Sequence, residues 1–270
     1  MWRLIVDKNF IAKHWYASVY EQFENQTNDV EFLLNVLAQQ TNGTIQNILE
    51  VACGGGRISI PLAKAGYNVT GFDLDEYMLI RCYNHIKDLQ NLRCYKADAI
   101  NEDWGKEYDV VVIAGNFLIN IESECDYAEA QALIIGKAAK ALKKGGHLYL
   151  DFDLHFDPAA VFNCLRESNY FHGTDELGTT GKTVSYGSVY DPVTQICAGA
   201  NHLELKTNNG ESIICSKRWY KHIPTQAQIY DWIQKSGFSI EKTYENYTDN
   251  PVPQPIAQST HRVTIWAVKI

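Results

Sequence analysis

Two carboxylates and a glycine-rich turn sit where a small polar ligand could be held. Glu50 lies in an apolar run, Asn47-Ile48-Leu49-Glu50-Val51, which leads into Ala52-Cys53-Gly54-Gly55-Gly56-Arg57. A second run, Asn68-Val69-Thr70-Gly71-Phe72, ends in Asp73, about 20 residues beyond Gly54. Glycines let backbone approach a ligand with no Cβ in the way. A carboxylate at Asp73 suits a ribose diol, because two hydroxyls can donate to one charged acceptor.

These groups need a strand, a turn, a helix and a second strand: a β-α-β unit that holds its ligand at the carboxyl ends of its strands. A helix expected from Arg57 would offer free N–H groups at its start. Hydrophobic periodicity extends the pattern. Helices are expected over 10–23, 29–40, 57–65, 76–88 and 124–142. Strands are expected over 47–52, 68–73, 92–96, 108–114 and 147–152. Such alternation predicts an α/β fold: a Rossmann-like, seven-stranded, mostly parallel sheet with helices on both faces. From 183 the pattern changes. Strands over 183–190, 197–205 and 212–222 follow one another without helices, with turns at Asp191-Pro192 and Asn208-Asn209-Gly210. They read as an inserted antiparallel β meander. A helix over 226–236 and strands over 238–244 and 262–268 close the sheet, joined by an extended link with Pro251, Pro253 and Pro255.

Bulk properties narrow the function. The chain has 270 residues, 46% of them hydrophobic, enough for one large α/β domain with an insertion. Its net charge is −8 and no basic run appears, which argues against nucleic-acid binding. No apolar run is long enough to span a membrane, and the first residues lack the apolar core of a signal peptide. Seven cysteines without a C-x-x-C pair suggest reduced thiols and a cytoplasmic protein. No His/Cys cluster has metal-ligand spacing, so no metal is expected. Cys53, within the turn, reads as a small buried filler rather than a nucleophile.

A dinucleotide turn needs G-x-G-x-x-G, and here Ser59 stands at the third glycine. Glu50-x-Ala52-x-Gly54-x-Gly56 instead resembles the first motif of class I S-adenosylmethionine-dependent methyltransferases, with Ala52 in place of the first glycine. The order of elements resembles their small-molecule group, which acts on amino sugars, amines and amino acids. The motifs cover residue 47 to about 153; the remainder matches as architecture. The resemblance implies S-adenosylmethionine as cofactor and S-adenosylhomocysteine as product. It implies that Glu50, Ala52, Cys53, Gly54, Gly56 and Arg57 surround the methionine end and that Asp73 takes the ribose hydroxyls. Leu74 and Met78 would pack on adenine, and Asp98 and Ala99 would read its amino group. Asn116 would sit where acceptor and methionine groups meet. The implied domains are a helical flap (1–44), the cofactor-binding core (45–154), an inserted β cap (155–222) and a closing segment (223–270).

Displacement at an activated sulfonium methyl needs positioning above all. An amine acceptor need only lose its proton before attack; a hydroxyl benefits from a general base. Candidate catalytic groups are Tyr16, His155 and His222. Alternation over 216–222 places Arg218, Tyr220 and His222 on one strand face, candidates with Tyr16 and Asn116 for acceptor binding. Tyr16 and Tyr20 share a helix face and could close over the sulfonium. The expected partner is a small-molecule acceptor, with no nucleic acid or membrane, and the chain a monomer or homodimer. Two alternatives stand: a non-catalytic cofactor-binding module, and a nicotinamide-dependent oxidoreductase, against which Ser59 and the β insertion argue.

Overall fold

The computed structural model describes residues 7–40, 45–164, 166–257 and 260–270. They divide into two compact units: residues 27–156 with 222–270, and the segment up to residue 26 with 157–221.

The larger unit holds β1 (Asn47–Val51), β2 (Asn68–Asp73), β3 (Leu92–Lys96), β4 (Tyr108–Ile113) and β5 (Leu142–Asp153), all parallel. The antiparallel β11 (Arg262–Lys269) pairs with β5, and β10 (Phe238–Glu245) pairs with β11. The order is β10-β11-β5-β4-β1-β2-β3. Chain order reverses between β1 and β4, and ligands bind outside the carboxyl ends of strands at such a switch. Val110, Val111, Val112 and Ile113 of β4 are all fully buried, as a parallel strand covered on both faces requires. Successive side chains point to opposite faces. Val111 and Ile113 join Leu49 and Val51 under α5 (Tyr127–Ala141) and α7 (Gln226–Lys235). Val110 and Val112 join Ile48 under α2 (Asn28–Gln40), α3 (Ser59–Lys64) and α4 (Glu76–His85). Each fully buried aliphatic side chain contributes about 1.5–3 kcal/mol.

Local chemistry sets the helix ends. Asp75 caps α4 by accepting from Tyr77 N and Met78 N, and Asp126 caps α5, so α5 starts three residues later than periodicity predicts. Thr225 and Gln228 close α7 with a reciprocal capping box. The expected helix from Arg57 begins only at Ser59, because residues 54–58 form turns. Among the described residues no helix is long and apolar enough to cross a membrane.

The smaller unit contains four antiparallel strands, β6 (Ser168–Thr174), β7 (Thr180–Asp191), β8 (Ile196–Lys206) and β9 (Ser212–His222), in that order. It also holds α6 (Pro158–Phe162) and α1 (Lys8–Phe23). β6 escapes sequence reading because it is an edge strand, mostly exposed, with little apolar alternation. α1 lays Ile11, Ala12, Trp15 and Val19 on Leu205 and Ile213, and Trp15 Nε1 donates to the Gly173 carbonyl at 3.2 Å.

The 1–44 segment expected as one flap is thus divided. α1 belongs to the inserted sheet, whereas α2 buries Phe32, Leu33, Val36 and Leu37 in the larger unit. Gly43, just beyond α2 in sequence, lies outside the described residues.

Candidate functional site

The glycine turn leaves β1 in left-handed conformations: φ is +58° at Ala52, +53° at Gly54 and +86° at Gly56. The position where the methyltransferase motif has its first glycine therefore carries strain here. A non-glycine residue in this region costs about 1–2 kcal/mol. A side chain at Gly56 would be strained at φ +86° and would have to displace Cys82 Sγ and Ile60 Cδ1, each 2.9 Å from a Cβ there. Arg57 follows, and its Nη1 donates to Asp29 Oδ1 of α2 at 2.6 Å, tying that helix to the turn.

Glu50 is buried and accepts a short hydrogen bond from Ser59 Oγ. Burial pushes its carboxyl up to about 8 against the opposing pull of Ser59 and Arg57, so it carries a proton at neutral pH. Ser59, at the place of the third dinucleotide glycine, serves this buried acid. Cys53 is buried; its thiol is drawn downward by a bond with Cys94, but burial, Glu50 and Asp73 outweigh this and push it up. That suits a filler and not a nucleophile.

Asp73 ends β2, with Oδ2 accepting from Gly54 N and Oδ1 from Asp75 N, both at 2.8 Å. Burial pushes its carboxyl up, while these backbone bonds restrain the shift. Each oxygen keeps a further lone pair for a hydroxyl. Beside it Leu74 is 60% exposed and Met78 half-buried. Asp98 accepts from Ile100 N at 2.8 Å and from Asn101 Nδ2 at 2.8 Å. Burial works upward on its carboxyl, but these bonds and Lys137 hold it below the usual range. Ala99 is half-buried, and its carbonyl accepts from Trp104 Nε1 at 3.0 Å.

Asn116, after β4, is left-handed at φ +61°. Its Oδ1 accepts from Asp153 N at 2.6 Å and its Nδ2 donates to Asp153 Oδ2 at 2.5 Å. Asp153 also pairs with Arg262 at 2.9 Å, and Arg262 pairs with buried Asp151 at 2.8 Å. Tyr247, from the proline-rich link, donates a short bond to the same Asp151. Sequence reasoning gave Asp151, Arg262 and Tyr247 no role. The available signal was two acids of one strand parity, Asp151 and Asp153, at the end of β5. Their partner lies 111 residues away in sequence.

The acceptor candidates fare differently. His222 is only 4% exposed; its Nδ1 bonds to Gln131 Oε1 at 2.7 Å, and Gln131 Nε2 donates to its carbonyl at 3.1 Å. Burial pushes its pKa down. This corrects its reading as a general base on the insertion: it is a packed histidine of the larger unit. It also breaks the expected face, since Arg218 and Tyr220 are exposed while His222 is buried. His155 follows β5 and is half-buried. Tyr16 and Tyr20 stack at 6.2 Å and meet Phe171 of β6 edge-on at 5.8 and 5.7 Å, so their described contacts belong to α1–sheet packing. Among the described residues no group of three or more His, Cys, Asp or Glu could hold a metal ion.

The family model described as a methyltransferase domain matches residues 48–146, the stretch that carries the turn, Asp73, Asp98 and Asn116. Residues 48–146 are thus similar to a methyltransferase domain. A putative methyltransferase of Bacillus subtilis, YqeM, is 28% identical over 221 residues, 78% of this chain and 80% of that one. Two solved structures share the fold. An S-adenosylmethionine-dependent methyltransferase from Clostridium acetobutylicum has a TM-score of 0.72 at 15% identity, covering 96% of this chain and 98% of that one. CalS10, an amino pentose methyltransferase from Micromonospora echinaspora, has a TM-score of 0.65 at 15% identity, covering both chains fully. The donor set of the site fits S-adenosylmethionine. Asp73 has lone pairs for the ribose, and exposed Leu74 has apolar surface for the ring.

Proposed function

We propose that the methyltransferase moves the cofactor's methyl group to a nitrogen or oxygen of a small metabolite, and that an amine is the better-matched acceptor. The carrying observation is the Asn116–Asp153 pair beside the switch point: a part-exposed carboxylate whose geometry is set by Arg262 and Asn116. S-adenosylmethionine supplies a methyl already activated on a positive sulfur. The protein's work is to hold the acceptor and exclude water. Asp153 attracts a cationic amine, which must release a proton before its lone pair attacks the methyl carbon and S-adenosylhomocysteine leaves. His222, one of the candidate bases for a hydroxyl acceptor, is buried with its Nδ1 bonded to Gln131. Arg218 and Tyr220 are further proposed acceptor contacts, and Tyr16 and Tyr20 a proposed cover for the sulfonium.

The test is labelled S-adenosylmethionine with a panel of amines and hydroxyl compounds, read by the mass gain of one methyl group. Amines should gain it. Gain confined to hydroxyl compounds defeats the amine reading. Binding of S-adenosylhomocysteine with no acceptor methylated across the panel favours a binding module. Arg218→Ala or Tyr220→Ala should weaken acceptor use and leave S-adenosylhomocysteine affinity within about twofold.

A further inference from the structure

The turn, Asp73, Asp98, Asn116 and Asp153 lie at or beyond the carboxyl ends of the parallel strands. At the opposite end of the same sheet lies a cleft of about 500 Å³. It is bounded by the β3–β4 connection around Trp104, the junction of α5 and β5, and the end of β11. Six lysines line it against two carboxylates, Asp103 and Glu107. That is a local positive excess in a chain whose net charge is −8.

Three of these lysines have structural partners. Lys137 Nζ donates to the Ile100 and Glu102 carbonyls at 2.7 and 2.5 Å and lies over the Trp104 ring. Lys143 pairs with Asp109 at 2.9 Å, and Lys269 donates to the Leu142 carbonyl at 2.6 Å. A carbonyl partner orients an ammonium but brings no full opposite charge to it. Lys106, Lys140 and Lys144 are exposed and have no ion pair or hydrogen bond among the described residues. One of them, Lys140, also favours the carboxyl end of α5, but the α5 dipole accounts for neither Lys106 nor Lys269. Like charges around a concave wall focus a positive potential and concentrate anions.

We propose that this cleft binds a small polyphosphate anion. Its volume is that of a small-molecule site. Several mobile ammonium groups suit the distributed charge of linked phosphates. A long nucleic acid would meet the acidic remainder of the surface.

The test is calorimetric titration of the whole protein with sodium tripolyphosphate, at low salt and at about 150 mM, where the Debye length is about 8 Å. Saturable one-to-one binding should persist at the higher salt. The triple variant Lys106→Ala/Lys140→Ala/Lys144→Ala should bind at least about tenfold more weakly. Its unfolding temperature and S-adenosylhomocysteine affinity should match wild type, since it spares the three bonded lysines. Binding seen only at low salt, or retained in the triple variant, overturns the proposal. So does a single-stranded oligonucleotide that binds more tightly than tripolyphosphate and loses its affinity in the triple variant.

Discussion

Asp73 fastens the glycine turn and has a second, proposed task toward the ribose, and replacing it separates the two. Its two oxygens fasten the glycine turn through Gly54 N and Asp75 N, both at 2.8 Å, and their remaining lone pairs face the ribose in the proposed mode. Asp73→Ala removes two hydrogen bonds from hydroxyls to a charged acceptor, about 2–4 kcal/mol or roughly 30- to 1000-fold in affinity for S-adenosylhomocysteine. The stability cost should be smaller. Both amides lie in a half-buried stretch that water can reach, and burial already disfavours the ionised carboxylate. A loss of about 1–2 kcal/mol is expected, a fall of a few degrees in Tm. Calorimetry well below the unfolding temperature, with urea unfolding of the same preparation, resolves the two effects. A 2′-deoxy analogue of S-adenosylhomocysteine completes the cycle: it should bind wild type more weakly and lose less on Asp73→Ala. If the variant binds S-adenosylhomocysteine within about threefold of wild type, or both ligands lose affinity equally, Asp73 does not hold the ribose.

Ala52→Gly should relieve the left-handed strain at φ +58°, offset in part by greater freedom of the unfolded chain, for a net gain of about 0.5–1 kcal/mol in urea unfolding; a loss would show that the methyl group packs usefully. Glu50, pushed from its ordinary 4.5 to about 8, keeps in the folded state a proton that the unfolded chain has released. Its contribution therefore declines as pH rises through that window, by roughly 3 kcal/mol between pH 5.5 and 8. Glu50→Gln should flatten this part of the stability–pH curve, and an unchanged curve refutes the assignment. Arg262→Met should strand Asp151 in the core and cost about 3 kcal/mol, most of it recovered by Arg262→Met/Asp151→Leu; additive losses in urea unfolding would show that the pair is uncoupled.

The helical and strand periods made most of the larger unit legible, because each apolar run there is buried on both faces and keeps its pattern. Edges were harder. β6 is mostly exposed and its pattern is set by α1 lying on it, which local spacing does not encode. Turns were legible as turns but not in conformation. Nothing in the string Val51-Ala52-Cys53 announces a left-handed alanine, since φ there follows from how β1 must meet α3.

Sequence alone determined the β-α-β ligand unit, the placement of Gly54, Gly56 and Asp73 in it, and the antiparallel character of the insertion. These rest on residue type and spacing within a few tens of positions, where backbone geometry is nearly local. Tertiary structure alone decided which polar groups meet. Asp151 and Asp153 became a site when β11 paired with β5 and set Arg262 opposite Asp153. His222 ceased to be a candidate base when Gln131 of α5 enclosed it. Glu50 became a neutral acid through burial beside Ser59. Four lysines of the far cleft lie within residues 137–144, but they share a wall with Lys106 and Lys269 only after folding. Charge and hydrogen bonding act through space and depend on burial, so their outcome is fixed by contacts between residues far apart along the chain.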